Sequence, residues 1–168
     1  VTCVNACQGA INNKQSVGCE YYATDMDSYS NNSCFAAFVA NTWNTPAKLT
    51  VRHEGQVLPI ESFTFIPIGQ GNTLQYSQYN SATGLPPGEV AILFLSGSQG
   101  QAPNCPKPTA KSLNTGGTGI FSSFQIETDV PVVAYQINPF GGGSAAVTGA
   151  SLLLPTSSWD TNYVAVNA

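Results

Sequence analysis

Hydrophobic and polar residues alternate along four short stretches of the chain, and no stretch shows a sustained helical period. Such alternation places every second side chain on the same face, which predicts half-buried β-strands. The four stretches are residues 47–52, 61–66, 120–126 and 131–137. The polar residues 127–129 predict a turn between the last two strands, and Pro131 is expected to open the final one.

Three further stretches are apolar at almost every position and predict central strands that are covered on both faces. They are residues 35–40, 90–95 and 151–154. Loops rich in Gly, Pro and Asn separate the predicted strands at short intervals. This pattern predicts an all-β fold, namely a single antiparallel β-sandwich or jelly-roll-like domain.

The cysteines predict covalent links within this fold. The sequence has five: Cys3, Cys7, Cys19, Cys34 and Cys105. Their spacings lack the paired C-x2-C pattern of structural zinc sites, so we expect disulfides and an oxidising, extracellular compartment. We expect Cys34 to pair with Cys105, and two of the other three to pair with each other. The fifth cysteine is then expected to find its partner upstream or in another chain.

The cysteines also suggest a division of the chain. We assign residues 1–17 to a cysteine-bearing N-terminal segment and residues 18–168 to the β-domain. The chain starts at Val1 without a signal-like segment, and residues 163–168 resemble a strand in progress. We therefore expect the sequence to be a piece of a longer polypeptide.

Low charge narrows the range of partners. Only 8% of the residues are charged, where about 25% is usual in soluble domains, whereas 42% are hydrophobic. A formal net charge of −4 argues against nucleic acid, which requires a basic patch. The longest apolar run, residues 90–95, is far shorter than the roughly 18 residues of a membrane span.

Catalytic motifs are not evident in the sequence. His53, between Arg52 and Glu54, is the only histidine, and we expect it at the surface where a strand runs into a turn. No serine lies in a nucleophile motif, although a spatial triad needs none. We therefore predict that the chain is not an enzyme.

A polar stretch suggests one candidate metal site. Asp25 and Asp27 place oxygen ligands at alternate positions, as loops that bind calcium do. The stretch lacks the central Gly and the closing Glu of an EF-hand, so a solvated loop is the simpler alternative. A structural calcium ion is the only cofactor that the sequence suggests.

Aromatic residues in polar surroundings suggest a ligand-binding surface. Tyr76, Tyr79 and Trp43 lie in segments rich in Gln, Asn, Ser and Thr, where exposed rings often serve recognition. We predict that Tyr76 and Tyr79 are exposed and stack on sugars, with burial in the core as the alternative.

Three segments resemble a known family. Residues 18–25 (GCEYYATD) resemble its GCEYWAVD strand, residues 128–139 (TDVPVVAYQINP) its SD-x-PVVAYQ-x-NP motif, and residues 150–156 its ASLLLPT motif. The family comprises large secreted proteins of myxobacteria and related bacteria, with a domain similar to the N-terminal region of the IgG-Fc-binding protein. The resemblance implies a β-sandwich with an adhesive or binding role, but it does not carry over immunoglobulin binding. Residues 147–149 depart from the family's usual Ser-Asn-Asp.

Two functions follow from these observations. The first is a non-catalytic extracellular adhesion or ligand-binding module of a secreted or cell-surface bacterial protein, whose partner is a protein or glycan. The alternative is a structural subunit of an extracellular fibre, sheath or surface layer, whose partners are neighbouring copies of the chain.

Overall fold

A computed structural model describes residues 5–26, 32–97, 103–113, 115, 119–141 and 148–159. This part of the chain holds nine β-strands, one α-helix and three short 3-10 turns. The strands are β1 (Gly18–Ala23), β2 (Phe35–Ala40), β3 (Leu49–His53), β4 (Gln56–Val57), β5 (Thr64–Ile68), β6 (Gln75–Gln78), β7 (Val90–Ser96), β8 (Phe124–Asn138) and β9 (Gly149–Leu153). The helix is α1 (Ala6–Asn12), and the 3-10 turns are Ile60–Ser62, Gly71–Thr73 and Thr156–Ser158.

The strands form one antiparallel sheet that is curled as a half-barrel. Strand β8 is long enough to serve two groups of neighbours. Its first half pairs with β1 and β3, and β3 pairs further with β4. Its second half pairs with β2 and β9, and β2 leads through β7 and β5 to β6. The predicted all-β antiparallel fold is confirmed, whereas a separate two-sheet sandwich stays a prediction.

The main core covers one face of both halves. It combines alternate residues of the strands with side chains from the loops between them. Among its largest fully buried members are Tyr21, Phe35, Phe63, Phe124 and Leu93. Tyr21 also satisfies its hydroxyl, which donates to the Val132 carbonyl at 2.5 Å and accepts from the Gly18 amide at 2.8 Å. Burial accordingly raises the pKa of Tyr21 to about 12.

A second apolar cluster covers the opposite face of the second half. Cys34, Phe65, Phe94 and Cys105 are buried there, and Phe140 packs against Phe94 with ring centroids 5.3 Å apart. The Cys34–Cys105 disulfide fastens the segment that follows β7 over this cluster. The sheet is thus covered on both faces at β2 and β7, which explains why β2 is apolar throughout and β7 is apolar at every position except Ser96.

Both predicted cysteine pairings within the described residues are confirmed. Cys34 pairs with Cys105, and Cys7 pairs with Cys19. Cys3 lies outside the described residues, so its predicted partner stays a prediction. The Cys7–Cys19 disulfide joins α1 to β1, and α1 also packs against β8.

Helix α1 was not predicted, because seven residues are too few to show a helical period. Its local signal is Asn5, whose side chain accepts a hydrogen bond from the Gln8 amide at 2.7 Å and caps the helix. The cap and the nearby disulfide hold a helix that would be unstable alone.

Two predicted strand assignments are wrong. The turn at residues 127–129 does not exist, because β8 runs through it without a break and Pro131 lies inside the strand. Residues 151–154 are not central, since β9 pairs only with β8 among the described strands and Leu152 and Leu154 are about half exposed.

The residues of the 128–139 motif have structural contacts. The Asp129 carboxylate accepts a hydrogen bond from the Lys48 amide at 2.7 Å, which ties the start of β3 to β8. Gln136 accepts from the Thr24 amide at 3.1 Å, and Asn138 donates to the Met26 carbonyl at 2.6 Å. Gln136 and Asn138 therefore hold the connection that leaves β1.

Candidate functional site

The face of the first half opposite the main core is polar. Strand alternation places Tyr22 of β1, Gln125 of β8 and Arg52 of β3 in one row across this face, because Tyr22 and Arg52 are both register partners of Gln125. Glu20 and Glu127 face each other in the next row. We call these five residues the polar face.

Hydrogen bonds between the two rows order the polar face. Gln125 Nε2 donates to Glu20 Oε1 at 2.6 Å, and Arg52 Nε donates to Glu127 Oε2 at 2.9 Å. The second oxygen of Glu20 accepts from Thr156 Oγ1 at 2.6 Å. Like charges directly opposite each other destabilise a sheet, so these partners offset the repulsion between the two carboxylates. They also fix the direction of each polar group.

Tyr22 of the polar face forms an aromatic pair with Trp159. The rings of Tyr22 and Trp159 lie 5.9 Å apart at an angle of 41°. Trp159 is 49% exposed, although its Nε1 donates to the Leu154 carbonyl at 3.1 Å, which fixes the indole ring in place. Desolvation raises the pKa of Tyr22, and the negative charges of Glu20 and Glu127 raise it further. The phenol is therefore a neutral donor at physiological pH.

A groove of about 280 Å³ starts beside this pair. Its walls belong to β1, β3 and β8, to the β3–β4 turn and to the segment before β8. They are lined by Tyr22, Arg52, Glu54, Gly55, Phe121, Ser122, Ser123 and Gln125. Tyr22 and Phe121 thus provide aromatic rings. Ser122, Ser123 and Gln125 provide uncharged hydrogen-bonding groups, and Arg52 and Glu54 provide charged ones. A concave site with a few convergent polar groups is typical of ligand recognition.

The β3–β4 turn shapes the far end of this groove. Glu54 and Gly55 both have left-handed backbone angles, with φ of 52° and 76°, as a tight two-residue hairpin turn requires. Gly adopts this conformation freely, but Glu does so at a cost. The Glu54 carboxylate accepts a long hydrogen bond of 3.4 Å from Ser122 Oγ, which links the turn to the segment before β8.

His53 is buried, so its predicted surface position is wrong. The imidazole is 5% exposed and stacks on Phe124 with centroids 4.6 Å apart. Its Nδ1 lies 3.9 Å from Glu54 Oε2, while Ser122 donates to Glu54 and not to His53. The bonding order of a nucleophile–base–acid triad, in which serine contacts histidine, is therefore not what these three residues form.

The aromatic residues that the sequence suggested lie apart from one another. Tyr79 is 1% exposed and belongs to the main core, where its hydroxyl accepts from the Leu49 amide at 3.0 Å, so its predicted exposure is wrong. Tyr76 is partly buried against the second cluster, edge-on to Phe94. Trp43 is exposed, but it follows β2 in a loop that does not line the groove.

The predicted calcium ligands are only partly described. Asp25 is half-buried and accepts hydrogen bonds from the Ser96 side chain and the Met26 amide, while Asp27 lies outside the described residues. Within the part of the chain that the structure describes, no group of three or more His, Cys, Asp or Glu side chains is arranged to hold a metal ion. A calcium site at Asp25 and Asp27 stays a prediction.

Sequence reasoning missed Tyr22, Phe121 and the pairing of Tyr22 with Trp159. Tyr22 lies in a segment that we used only for its resemblance, and its alternation with the buried Tyr21 was the available signal. The contact between Tyr22 and Trp159 joins residues 137 positions apart, which no local pattern reveals.

No family model, curated protein or solved structure matches this chain. Among the described residues, no helix is long and apolar enough to cross a membrane.

Proposed function

We propose that this chain is a non-catalytic, extracellular binding module that holds a neutral glycan in the groove beside the polar face. The observation that carries the proposal is the fixed aromatic pair of Tyr22 and Trp159 next to an ordered row of hydrogen-bonding side chains. A sugar ring presents C–H groups on its faces and hydroxyls around its edge. Aromatic rings complement the former, and paired carboxylate, amide and guanidinium groups complement the latter.

The electrostatics of the site favour an uncharged ligand. Arg52 neutralises Glu127 in an ion pair, and Gln125 and Thr156 satisfy both oxygens of Glu20. A charged ligand would have to compete with these contacts, whereas sugar hydroxyls can accept and donate alongside them. The low charge of the whole chain supports the same choice.

Other features support the location and the lack of catalysis. Two disulfides fit an oxidising, extracellular compartment. The two carboxylates of the polar face are both held by partners, which supports a role in positioning a ligand over one in proton transfer. The family resemblance adds a secreted or surface-attached bacterial protein as the proposed setting.

Removing the aromatic pair tests this function. We expect the Tyr22→Ala, Trp159→Ala double variant to weaken glycan binding by at least about tenfold, because the apolar area of two aromatic rings covered by a ligand is worth more than about 1.4 kcal/mol, the free energy of a tenfold change. Binding is first screened on a glycan array, and the best neutral oligosaccharide is then measured by isothermal titration calorimetry. Trp43→Ala is the matched control, since it removes an exposed tryptophan that neither lines the groove nor pairs with Tyr22.

The proposal fails if the double variant binds as well as the native protein, or if Trp43→Ala loses as much affinity. An array with no glycan bound would also reject it. Mass spectrometry of the oligosaccharide after long incubation is expected to show the intact molecule. Shortened products that disappear in the Glu20→Gln variant would instead establish hydrolysis.

A second function, the structural subunit, is favoured by one other observation. Tyr135 of β8 and Leu152 of β9 are register partners on the same face, and both are about half exposed. Leu154 continues this apolar strip. An exposed apolar strip beside a strand with one described neighbour suits contact with another copy of the chain. Sedimentation of the native protein distinguishes the two functions.

A further inference from the structure

A small pocket adjoins the far end of the groove. It measures about 180 Å³ and shares Glu54, Phe121 and Ser122 with the groove, so the two spaces meet at these side chains. His53, Leu113, Thr115 and Ile120 complete its lining. A substituent of a ligand in the groove would have to pass these three side chains to enter the pocket.

His53 gives this pocket an unused hydrogen-bonding capacity. The imidazole is only 5% exposed, and neither ring nitrogen has a hydrogen-bond partner among the described residues. Buried polar atoms in folded proteins are nearly always paired, so an unpaired buried side chain at a pocket calls for an explanation. A neutral imidazole offers one N–H donor and one acceptor.

Glu54 also lines the pocket and lies close to His53. Its carboxylate lies 3.9 Å from His53 Nδ1, too far for a hydrogen bond, and its side chain is 68% exposed. The contact of 3.4 Å from Ser122 restrains it weakly. A ligand group can therefore displace the carboxylate without breaking a strong interaction, and it then reaches the imidazole.

Three of the remaining wall residues are apolar, beside the polar Thr115 and Ser122. Leu113, Ile120 and Phe121 contribute aliphatic and aromatic surface, and Ile120 is fully exposed while Phe121 is 47% exposed. Two adjacent exposed apolar residues at the mouth of a pocket gain free energy when a ligand covers them. The substituent that fits must then be small, partly apolar, and able to bond an imidazole.

We propose that the pocket receives the acetamido group of an N-acetylated amino sugar, so that the module is selective for N-acetylhexosamine-containing glycans. The methyl group packs on Leu113, Ile120 and Phe121, and the amide oxygen or N–H pairs with His53. A plain hydroxyl could pair with His53 but would leave the apolar walls uncovered. This inference rests on the proposed glycan function and names the ligand class for the same site.

The test compares two matched oligosaccharides by isothermal titration calorimetry with the native protein. One is the trimer of β-1,4-linked N-acetylglucosamine, and the other is the β-1,4-linked glucose trimer, which carries a hydroxyl in place of each acetamido group. We expect the acetylated trimer to bind about tenfold more tightly, as one buried hydrogen bond and a covered methyl group predict. In the His53→Phe variant, which keeps a ring to stack on Phe124, this preference should fall to about threefold or less.

Each outcome separates this inference from the function on which it rests. Equal binding of the two trimers, or an unchanged preference in His53→Phe, overturns the acetamido assignment while glycan binding stands. Binding of neither trimer overturns the assignment, and the glycan array then decides on the function itself. Should His53→Phe not fold, ¹⁵N NMR of the native imidazole gives the answer. The ring nitrogens must shift more with the acetylated trimer than with the glucose trimer, and equal shifts or no shift would overturn the assignment.

Discussion

The Asp25 carboxyl lies where the connection after β1 meets β7 and β8. Ser96 and the Met26 amide donate to it, and Asn138 Nδ2 lies 3.5 Å from Oδ1. Burial nevertheless dominates and raises the pKa of Asp25 to about 6, with the hydrogen bonds opposing the shift. A single carboxyl therefore couples this junction to pH within the range from mildly acidic to neutral.

Replacing this carboxyl should change how stability depends on pH. Because the pKa of Asp25 is higher in the folded protein than its ordinary value of 3.8, the folded state binds more protons than the unfolded state between about pH 4 and 6. The carboxyl therefore favours folding at low pH, and this contribution is lost as the pH rises through 6. Asp25→Asn removes the titration, so we expect the variant to gain about 1–2 kcal/mol relative to the native protein between pH 4 and 7, after allowing for screening by water.

Urea unfolding of both proteins at pH 4.5 and pH 7 measures this difference. Since other groups titrate in both proteins, only the change in their difference with pH is informative. A difference that stays constant, or that moves against the variant as the pH rises, would contradict the assigned shift.

The same residue scale shows what sequence patterns could and could not provide. The polar contexts of Tyr76 and Tyr79 suggested exposure, but the Tyr79 hydroxyl finds the Leu49 amide and lets the ring enter the core. Tyr22 alternates correctly with the buried Tyr21, so its outward direction was predictable. Its neighbour Trp159 was not, because that contact depends on the path of the chain after β9.

At the scale of elements, the predicted strands are mostly present, and β8 shows where local patterns mislead. Residues 127–129 carry good turn formers, yet the Asp129 carboxylate accepts from the Lys48 amide of a distant segment and not from its own neighbours. Pro131 lies next to a register shift, since Gly18 pairs with Val132 while Glu20 pairs with Glu127. An irregular point in the ladder tolerates the missing amide hydrogen.

The two disulfides should contribute unequally to stability. The Cys34–Cys105 bridge spans 71 residues and the Cys7–Cys19 bridge spans 12. A disulfide limits the entropy of the unfolded chain, and it does so more when its loop is longer. Removing the two bridges should therefore lower the free energy of unfolding by about 4 and about 3 kcal/mol, respectively. The larger loss should increase further, because Cys34 and Cys105 are buried in the second apolar cluster. Paired Cys→Ala variants, compared by urea unfolding, measure both losses. A larger effect for the Cys7–Cys19 bridge would show that α1 matters more to the fold than this reasoning allows.

At the scale of the whole molecule, the low charge means that two copies of the chain repel each other only weakly. Nine acidic and five basic residues among 168 give little long-range repulsion between copies. The strip of Tyr135, Leu152 and Leu154 is therefore a surface suited to self-association. If the chain is a binding module, this strip should stay exposed in a monomer. If the chain is an assembly subunit, the strip should be buried against another copy.

Analytical ultracentrifugation separates these two cases. If the chain is a binding module, the native protein should sediment as a monomer at tens of micromolar, and Tyr135→Ser with Leu152→Ser should change nothing. If it is a structural subunit, larger species should form and the double variant should dissolve them. Species that persist in the variant but vanish with reductant would instead point to cysteine-linked assembly.

Strand β8 belongs to both halves of the sheet, and this sharing has a mechanical consequence. The groove includes Gln125 in the first half of β8, and the second apolar cluster lies on strands that are joined to its second half through β2, so one continuous strand connects the two regions. A ligand that clamps the first half of β8 also suppresses fraying of its second half. If the groove binds a ligand as proposed, we expect the described strands of both halves to resist proteases better in the occupied protein than in the free one, including the distant segment that Cys105 anchors.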